Sequence, residues 1–495
     1  MKDLNQDIVL YEDSIFGRVG FSITSSTLKY IAGSISSYCL ERDIPSIVIG
    51  TDASEWSKTY MQEVLLPMLE DLQLTCYFLD DPCPLFQLSW LTQQVHLSHN
   101  KKKFLGIYLS VDSYYHDRLS ISFRHHDGKP FSELQVAELC TFGKISEDAY
   151  SGLGESPVKG TALDISAYPN YLTDSKLINV EKTANKKVHI DTMFGCTEAL
   201  LTKIGKDMSF CRLNLWNLAA GPERVRNYVA SPTGTALQWR ALNLTDEPNS
   251  LFFAFNNTGT SLGVWDLRQN LEISKSGTFM LLIYHAHKIL KKRGTVLISK
   301  AVSGRVTSLI ESLGLNYEIV DSGVNNFIEA IEKKRRSPAL MYGDEEGKFW
   351  FKGDVYDFNP LIAAMRITEL CCVLDKSPGQ ILDDLQSHLN NSYSYSNLIL
   401  PLGIKGKFEI QEEFKKGLSV EPDNPLANTH VYNLLDGVSK VAVQENVRQS
   451  SVEVFIESQD NETTKGLANY VQELFVQPVD TKLSPANDKQ GSNQP

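Results

Sequence analysis

The sequence predicts an α/β protein: three consecutive α/β domains followed by a smaller α+β domain. Two patterns point there. Short runs rich in Val, Ile and Phe alternate with segments of helical apolar spacing as far as residue 384, which is the signature of strands crossed over by helices. The last hundred or so residues change to short β candidates and one amphipathic helix. Length agrees, because 495 residues exceed what one hydrophobic core organises and fit about three or four domains.

The elements follow in order. Thr27–Arg42 has helical spacing and Ser46–Gly50 reads as a buried strand. Glu63–Leu72 reads as a second helix, Thr75–Leu79 as a strand, and Phe104–Leu109 as a third strand. After a looser stretch at Ser151–Pro157 the pattern resumes with strands at Val188–Asp191 and Leu251–Phe255, the latter closed by the polar loop Asn256–Ser261. A third block begins with a helix from Thr278 to Lys291. The strand Thr295–Ile298, the helix Val306–Leu313 and the strand Tyr317–Val320 follow. In the last part Lys405–Ile410, Lys440–Gln444 and Val452–Ser458 are β candidates, and Lys465–Phe475 is a helix. The expected domains are residues 1–150, 151–270, 271–384 and 385–476. Residues 477–495 are too polar to pack and read as a disordered tail.

Composition narrows the function. Hydrophobic residues make up 42% and charged residues 22%, ordinary for a globular chain. A net charge of −12 argues against a broad nucleic-acid or anionic-membrane surface. The eight cysteines form no C-x-x-C pair, so they read as reduced, buried thiols. No apolar signal core opens the chain and no run is long enough to span a membrane, so a cytoplasmic location is the expectation. His125–His126, near a glycine turn, and His285 and His287, on a helix, have no identifiable ligand partner and read as structural.

Several motifs occur together in one order. Phe16-Gly17-Arg18-Val19-Gly20-Phe21 is followed by Gly50-Thr51-Asp52-Ala53-Ser54-Glu55-Trp56-Ser57 and Pro82-Cys83-Pro84. Then come Gly106-Ile107-Tyr108-Leu109-Ser110-Val111-Asp112-Ser113-Tyr114-Tyr115, Asp191-Thr192-Met193-Phe194-Gly195 and Tyr342-Gly343-Asp344-Glu345-Glu346-Gly347-Lys348. This series resembles the α-D-phosphohexomutases (phosphoglucomutase and phosphomannomutase) over residues 10 to 475. The resemblance implies four domains with mixed sheets around a central cleft. It also implies a family reaction in which a serine-borne phosphoryl group passes to a sugar with help from Mg²⁺.

The framework positions match and the reacting ones do not. On this register the phosphoserine position is Asp112 and a later lysine position is Ser122. Asp112 reads as a drifted polar residue, a mimic of phosphoserine charge, or a carboxylate nucleophile. Ser110 and Ser113 are neighbours, but using either breaks the flanking match. The literal Ser98-His99-Asn100 precedes the strand instead of following it and reads as a surface loop. Where the family has a three-aspartate metal loop, this chain has Asn256, Thr258 and Thr260, so the Mg²⁺ site is expected to be lost and no cofactor is expected. Arginine positions of two early motifs hold Ser22 and Ser54, with Arg18 off register. The phosphate loop is reduced to Arg448 and Ser450. The sugar loop is better kept, with Asp344, Glu346 and Lys348 at its recognition positions, although it reads equally as an acidic turn.

The expected function is therefore a family member that has lost phosphoryl transfer and binds a protein partner or a sugar phosphate. The alternative is an active hexose 1-phosphate/6-phosphate isomerase with an atypical site. A sugar-phosphate sensor and a pure scaffold stand between them.

Overall fold

The computed structural model describes residues 8–475 apart from 113–114, 116, 143–152, 155–158, 165, 180, 208–210, 218–236, 239–240, 334–337, 388, 390–392, 402–406, 424–428 and 447–450. The predicted tail, and Arg448 and Ser450, lie outside the described residues.

Four sheets follow one another along the chain. The first holds β1 (Val9–Tyr11), β2 (Ser14–Arg18), β3 (Ser46–Thr51), β4 (Thr75–Phe78), β5 (Phe104–Val111), β6 (Arg118–Arg124) and β7 (Thr161–Ala162), in the order β1-β2-β6-β5-β3-β4-β7. The second holds β8 (Lys187–Asp191), β9 (Arg212–Trp216), β10 (Leu251–Phe255), β11 (Leu262–Asp266) and β12 (Leu271–Ile273), in the order β12-β11-β10-β8-β9. The third holds β13 (Thr295–Ser299), β14 (Asn316–Val320), β15 (Ala339–Gly343) and β16 (Phe349–Phe351), in the order β14-β13-β15-β16. The fourth, β17 (Ser394–Pro401), β18 (Thr429–Asn433), β19 (Lys440–Asn446) and β20 (Ser451–Ser458), is antiparallel throughout.

The first three sheets repeat one plan. Two parallel strands flank each other, a third joins in parallel, and a fourth returns antiparallel: β4-β3-β5-β6, β9-β8-β10-β11 and β14-β13-β15-β16. The sheets are mixed, as expected. Each of the three motif loops singled out in the sequence is the hairpin at the C-terminal end of the third strand: after β5, after β10 and after β15. Loops at that end are free to carry function because the strands below are buried and rigid.

Hydrophobic burial ties these units together. One buried cluster runs from Phe86 and Phe104 of the first unit through Val188 and Phe253 of the second to Phe279, Met341 and Ile362 of the third. A second fills the other face of the first sheet, including Ile31, Ile35, Leu105 and Phe123. The fourth sheet has its own core of Phe414, Tyr432, Val441, Val454, Ile456 and Val471. Caps set the main helices: Thr24 accepts from Thr27 N–H before Ser25–Glu41, and Asn359 accepts from Ile362 N–H before Pro360–Leu374.

Two expectations are corrected. Lys407–Ile410, the described part of the β candidate Lys405–Ile410, is not a strand but opens the helix Lys407–Leu418. The short alternation there mimics a strand, but Ile410, Phe414 and Leu418 recur at helical spacing, and six residues cannot separate the two periods. The second helix begins earlier, as Glu55–Tyr60, passes through a wider π-turn at Met61–Leu65 and ends as Leu66–Asp71. Pro67 follows this turn, and its missing N–H leaves a carbonyl one turn back without its helical donor.

Candidate functional site

Asp112 sits half-buried where β5 ends, and its carboxylate is turned back on its own loop. Its Oδ1 accepts the Tyr115 N–H at 3.0 Å, and its own N–H donates to Arg118 O at 2.9 Å. Ser110 lies within β5 opposite Ser120 and is 6% exposed, so it belongs to the sheet and not to the loop. Ser113 lies outside the described residues. Ser98-His99-Asn100 ends the helix Leu85–Ser98, ahead of β5 and thus at the opposite end from Asp112.

Asp52 holds this loop from beneath. It is 1% exposed; Oδ2 accepts the Val111 N–H at 2.8 Å and Oδ1 the Ser54 N–H at 3.1 Å. Burial pushes its carboxyl up to about 6, although those N–H donors favour the charge. A carboxyl raised in the fold above its unfolded value of 3.8 adds stability that is full below about pH 4 and lost as pH rises through about 6. The stability of the wild type relative to Asp52→Asn is therefore expected to grow on acidification from pH 6 to 4, by up to about 3 kcal/mol. Urea melts at several pH values measure it, and the opposite slope would show a carboxylate stabilised as the anion.

The loop after β10 packs against the end of β5, where the Asp112 loop begins. Asn257 Nδ2 donates to Val111 O at 2.9 Å, and Asn257 O accepts the Cys196 N–H at 3.0 Å. Gly195 has to be glycine here, because a Cβ would come within 2.6 Å of Asn257 backbone atoms. Asn256, Thr258 and Thr260 are bonded to one another. Asn256 Nδ2 donates to Thr258 Oγ1 at 3.1 Å and to Thr260 Oγ1 at 3.0 Å, while Asn256 Oδ1 accepts the N–H groups of Thr260 (2.7 Å) and Ser261 (3.0 Å). The network is neutral. Among the described residues no group of three or more His, Cys, Asp or Glu is arranged to hold a metal ion.

The third loop closes the series. Ser261 Oγ donates to Glu346 O at 2.5 Å, and Leu262 N–H donates to Gly347 O at 3.0 Å. Asp344 is 5% exposed and folds the loop, its Oδ1 accepting the N–H groups of Glu346 (3.0 Å) and Lys348 (2.9 Å). Burial first, then Glu345, holds the Asp344 carboxyl well above the usual range. Lys348 pairs with Glu346 and lies 5.8 Å from the centre of the Phe358 ring. Desolvation opposes its charge, but Glu346, Asp344 and Glu12 outweigh it and raise its pKa. Lys275 donates to Leu262 O at 2.7 Å; desolvation takes it down to about 8. Asp344, Glu346 and Lys348 are thus brought together, and the three loops form one continuous hydrogen-bonded rim.

Other cations near this rim also meet carboxylates. Arg18 pairs with Asp117 at 2.6 Å and lies over the exposed Phe21 ring; Lys300 lies 2.9 Å from Asp321 and 3.3 Å from Asp423. Ser22 Oγ accepts the Arg18 N–H at 2.6 Å. Away from the rim, His125 reaches Gln135 at 3.2 Å, and His285 reaches Glu369 at 2.8 Å.

The sequence reading did not single out Asp52, Asn257, Glu345 or Lys275. Asp52 stood inside a quoted motif, and Glu345 inside the acidic turn, so both were visible. Asn257 stood inside the polar loop Asn256–Ser261, but its partner Val111 is far away in the sequence, and nothing local marks Lys275.

No protein-family model matches the sequence, and no curated protein matches it. Solved structures do match. A Thermus thermophilus protein assigned as a phosphomannomutase superposes with a TM-score of 0.74 at 16% identity, covering 94% of this chain and 98% of that one. A phosphoglucomutase/phosphomannomutase family protein from Burkholderia thailandensis gives 0.72 at 14% identity, over 94% and 96% of the two chains. The Paramecium phosphoglucomutase pp63/parafusin, in its open form, gives 0.71 at 11% identity, over 94% of each. At these identities the likeness is one of fold. The chain shares the multidomain fold of the α-D-phosphohexomutase superfamily.

Proposed function

We propose that this protein is a phosphohexomutase-like chain that has lost phosphoryl transfer and acts by binding a protein partner or a sugar phosphate. One observation carries the reading: at the loop where the family gathers carboxylates, Asn256, Thr258 and Thr260 satisfy one another with neutral donors and acceptors. Mg²⁺ demands hard, preferably anionic oxygens and gives up its water reluctantly. Amide and hydroxyl oxygens already bonded to each other do not fit it. Asp112 supports the same reading, since its carboxylate serves the Tyr115 N–H inside its own loop. Residues that would meet a sugar phosphate are Asp344, Glu346 and Lys348, together with Arg448 and Ser450. A net charge of −12 disfavours a nucleic-acid partner. Among the described residues no helix is long and apolar enough to cross a membrane.

A turnover assay tests this. Purified protein with glucose 1-phosphate or mannose 1-phosphate, the matching 1,6-bisphosphate and Mg²⁺ is expected to form no 6-phosphate above the blank. Conversion that disappears in Asp112→Ala would overturn the reading and establish the isomerase. Thermal melts with the same compounds sort the ligands. A compound present at about 100 times its Kd stabilises the fold by about 2.7 kcal/mol. A shift independent of Mg²⁺ identifies a sugar-phosphate ligand, and no shift directs the search to a protein partner.

A further inference from the structure

The fourth sheet is fastened to the third along its width by groups of the chain itself. At one end Glu457 of β20, 2% exposed, caps the helix Gly304–Ser312: Oε2 accepts the Gly304 N–H at 2.9 Å, and Oε1 pairs with the Ser303 hydroxyl. Lys440, opposite Glu457 in the β19–β20 register, lies 3.5 Å from Glu457 Oε2 and donates to Val302 O at 2.6 Å. In the middle, Val431, Ala442 and Phe455 close over Ala301. At the other end Thr429 Oγ1 donates to Ser322 Oγ at 3.0 Å, Ser322 donates to Glu345 Oε1 at 2.8 Å, and Ser299 donates to the second oxygen of Glu345. Lys300 joins Asp321 of the third unit to Asp423, which precedes β18.

We propose that this seam is a built-in clasp. Glu457 is a buried carboxylate of the fourth unit that occupies the Ser303 hydroxyl and the Gly304 amide of the third, while Glu345, within the third unit, holds Ser322 where it accepts from Thr429; together they fasten the fourth sheet against the third without help from a ligand. A helix N-terminus and a serine hydroxyl are donors suited to an anion, and here a side chain of the protein fills that role. A ligand shifts a conformational balance only by contacts that differ between the two states. With the contacts across this seam already made by the protein, a sugar phosphate binding at the rim has little closure left to drive. The clasp goes beyond the absence of catalysis, which turnover tests separately.

Hydrogen exchange and small-angle scattering of the full chain test it. In the wild type the Gly304 amide is expected to exchange slowly, and neither its rate nor the radius of gyration is expected to change with glucose 1,6-bisphosphate. In Glu457→Ala that amide is expected to exchange at least about tenfold faster, and the radius of gyration to rise. Fast exchange at Gly304 in the wild type, or a contraction on adding the bisphosphate, overturns the clasp. So does a folded Glu457→Ala protein with unchanged exchange. The wild-type measurements decide the matter even if that variant fails to fold, and Glu457→Gln, which keeps an acceptor oxygen, is expected to retain slow exchange.

Discussion

Replacing Arg124 by alanine is expected to destabilise the protein by about 3–5 kcal/mol. Arg124 is 1% exposed at the end of β6, and the groups around it come from distant parts of the chain. Its Nε donates to Asp357 Oδ2 at 2.9 Å and to Ser89 Oγ at 3.0 Å. Nη1 pairs with Asp13 and donates to Phe123 O at 2.9 Å, and Ser89 Oγ donates to Asp357 Oδ2 at 2.7 Å. Desolvation works against the guanidinium, but Asp357 and Asp13 outweigh it and raise its pKa. Removing the cation strands two buried carboxylates that join the first sheet to the segment after β16. Asp357, whose carboxyl burial already raises, then favours the protonated form further. A carboxyl whose folded pKa is raised gives up stability as pH rises, so the deficit of Arg124→Ala should shrink on acidification. Arg124→Met, which restores volume without charge, should recover little. Denaturant melts at pH 7 and 5 measure both effects, and a loss below about 1 kcal/mol would show that the pair does not hold the units together.

The second large effect concerns the loop after β10. The triple change Asn256→Asp, Thr258→Asp and Thr260→Asp is expected to lower stability by about 3 kcal/mol or more without metal, and to make stability depend on Mg²⁺. Asn256 Nδ2 now donates to two hydroxyls about 3 Å away, so three carboxylates there would lie within hydrogen-bonding distance of one another. Like charges so close, partly shielded from water, raise each other's pKa and oppose folding. A divalent cation relieves that repulsion by the same convergence. Melts with and without 10 mM Mg²⁺ read the outcome. A triple variant that is destabilised and insensitive to Mg²⁺ would show that the loop has lost its geometry as well as its charges.

The sequence was informative where a pattern is local. Leu251–Phe255 is a strand with the expected bounds because five consecutive apolar residues admit little else between polar turns. The helix Asn461–Phe475 was visible from Lys465 onward through its amphipathic spacing. Where two periods share a short window, as at Lys407–Ile410, local reading fails. β18 is another kind of miss: Thr429–Asn433 carries the β-favouring Thr429, Val431 and Tyr432 but is too short to stand out, and it is paired by β19, whose position no local rule supplies.

The site divides in the same way. Residue types at Asp112, Asn256, Thr258, Thr260, Asp344, Glu346 and Lys348 could be read directly. Contact between residues far apart in sequence could not. Asn257 reaches Val111 across 146 residues, Glu457 reaches Gly304 across 153, and Arg124 reaches Asp357 across 233. Hydrophobic periodicity and turn chemistry act over a few residues, so the sequence alone determined most of the elements, the charge balance and the residue types present at each motif loop. Buried charge pairing and loop docking depend on how rigid sheets stack. Only the tertiary structure therefore decided that the three loops form one rim, that Asn256, Thr258 and Thr260 satisfy one another, and that Glu457 bonds the fourth sheet to the third.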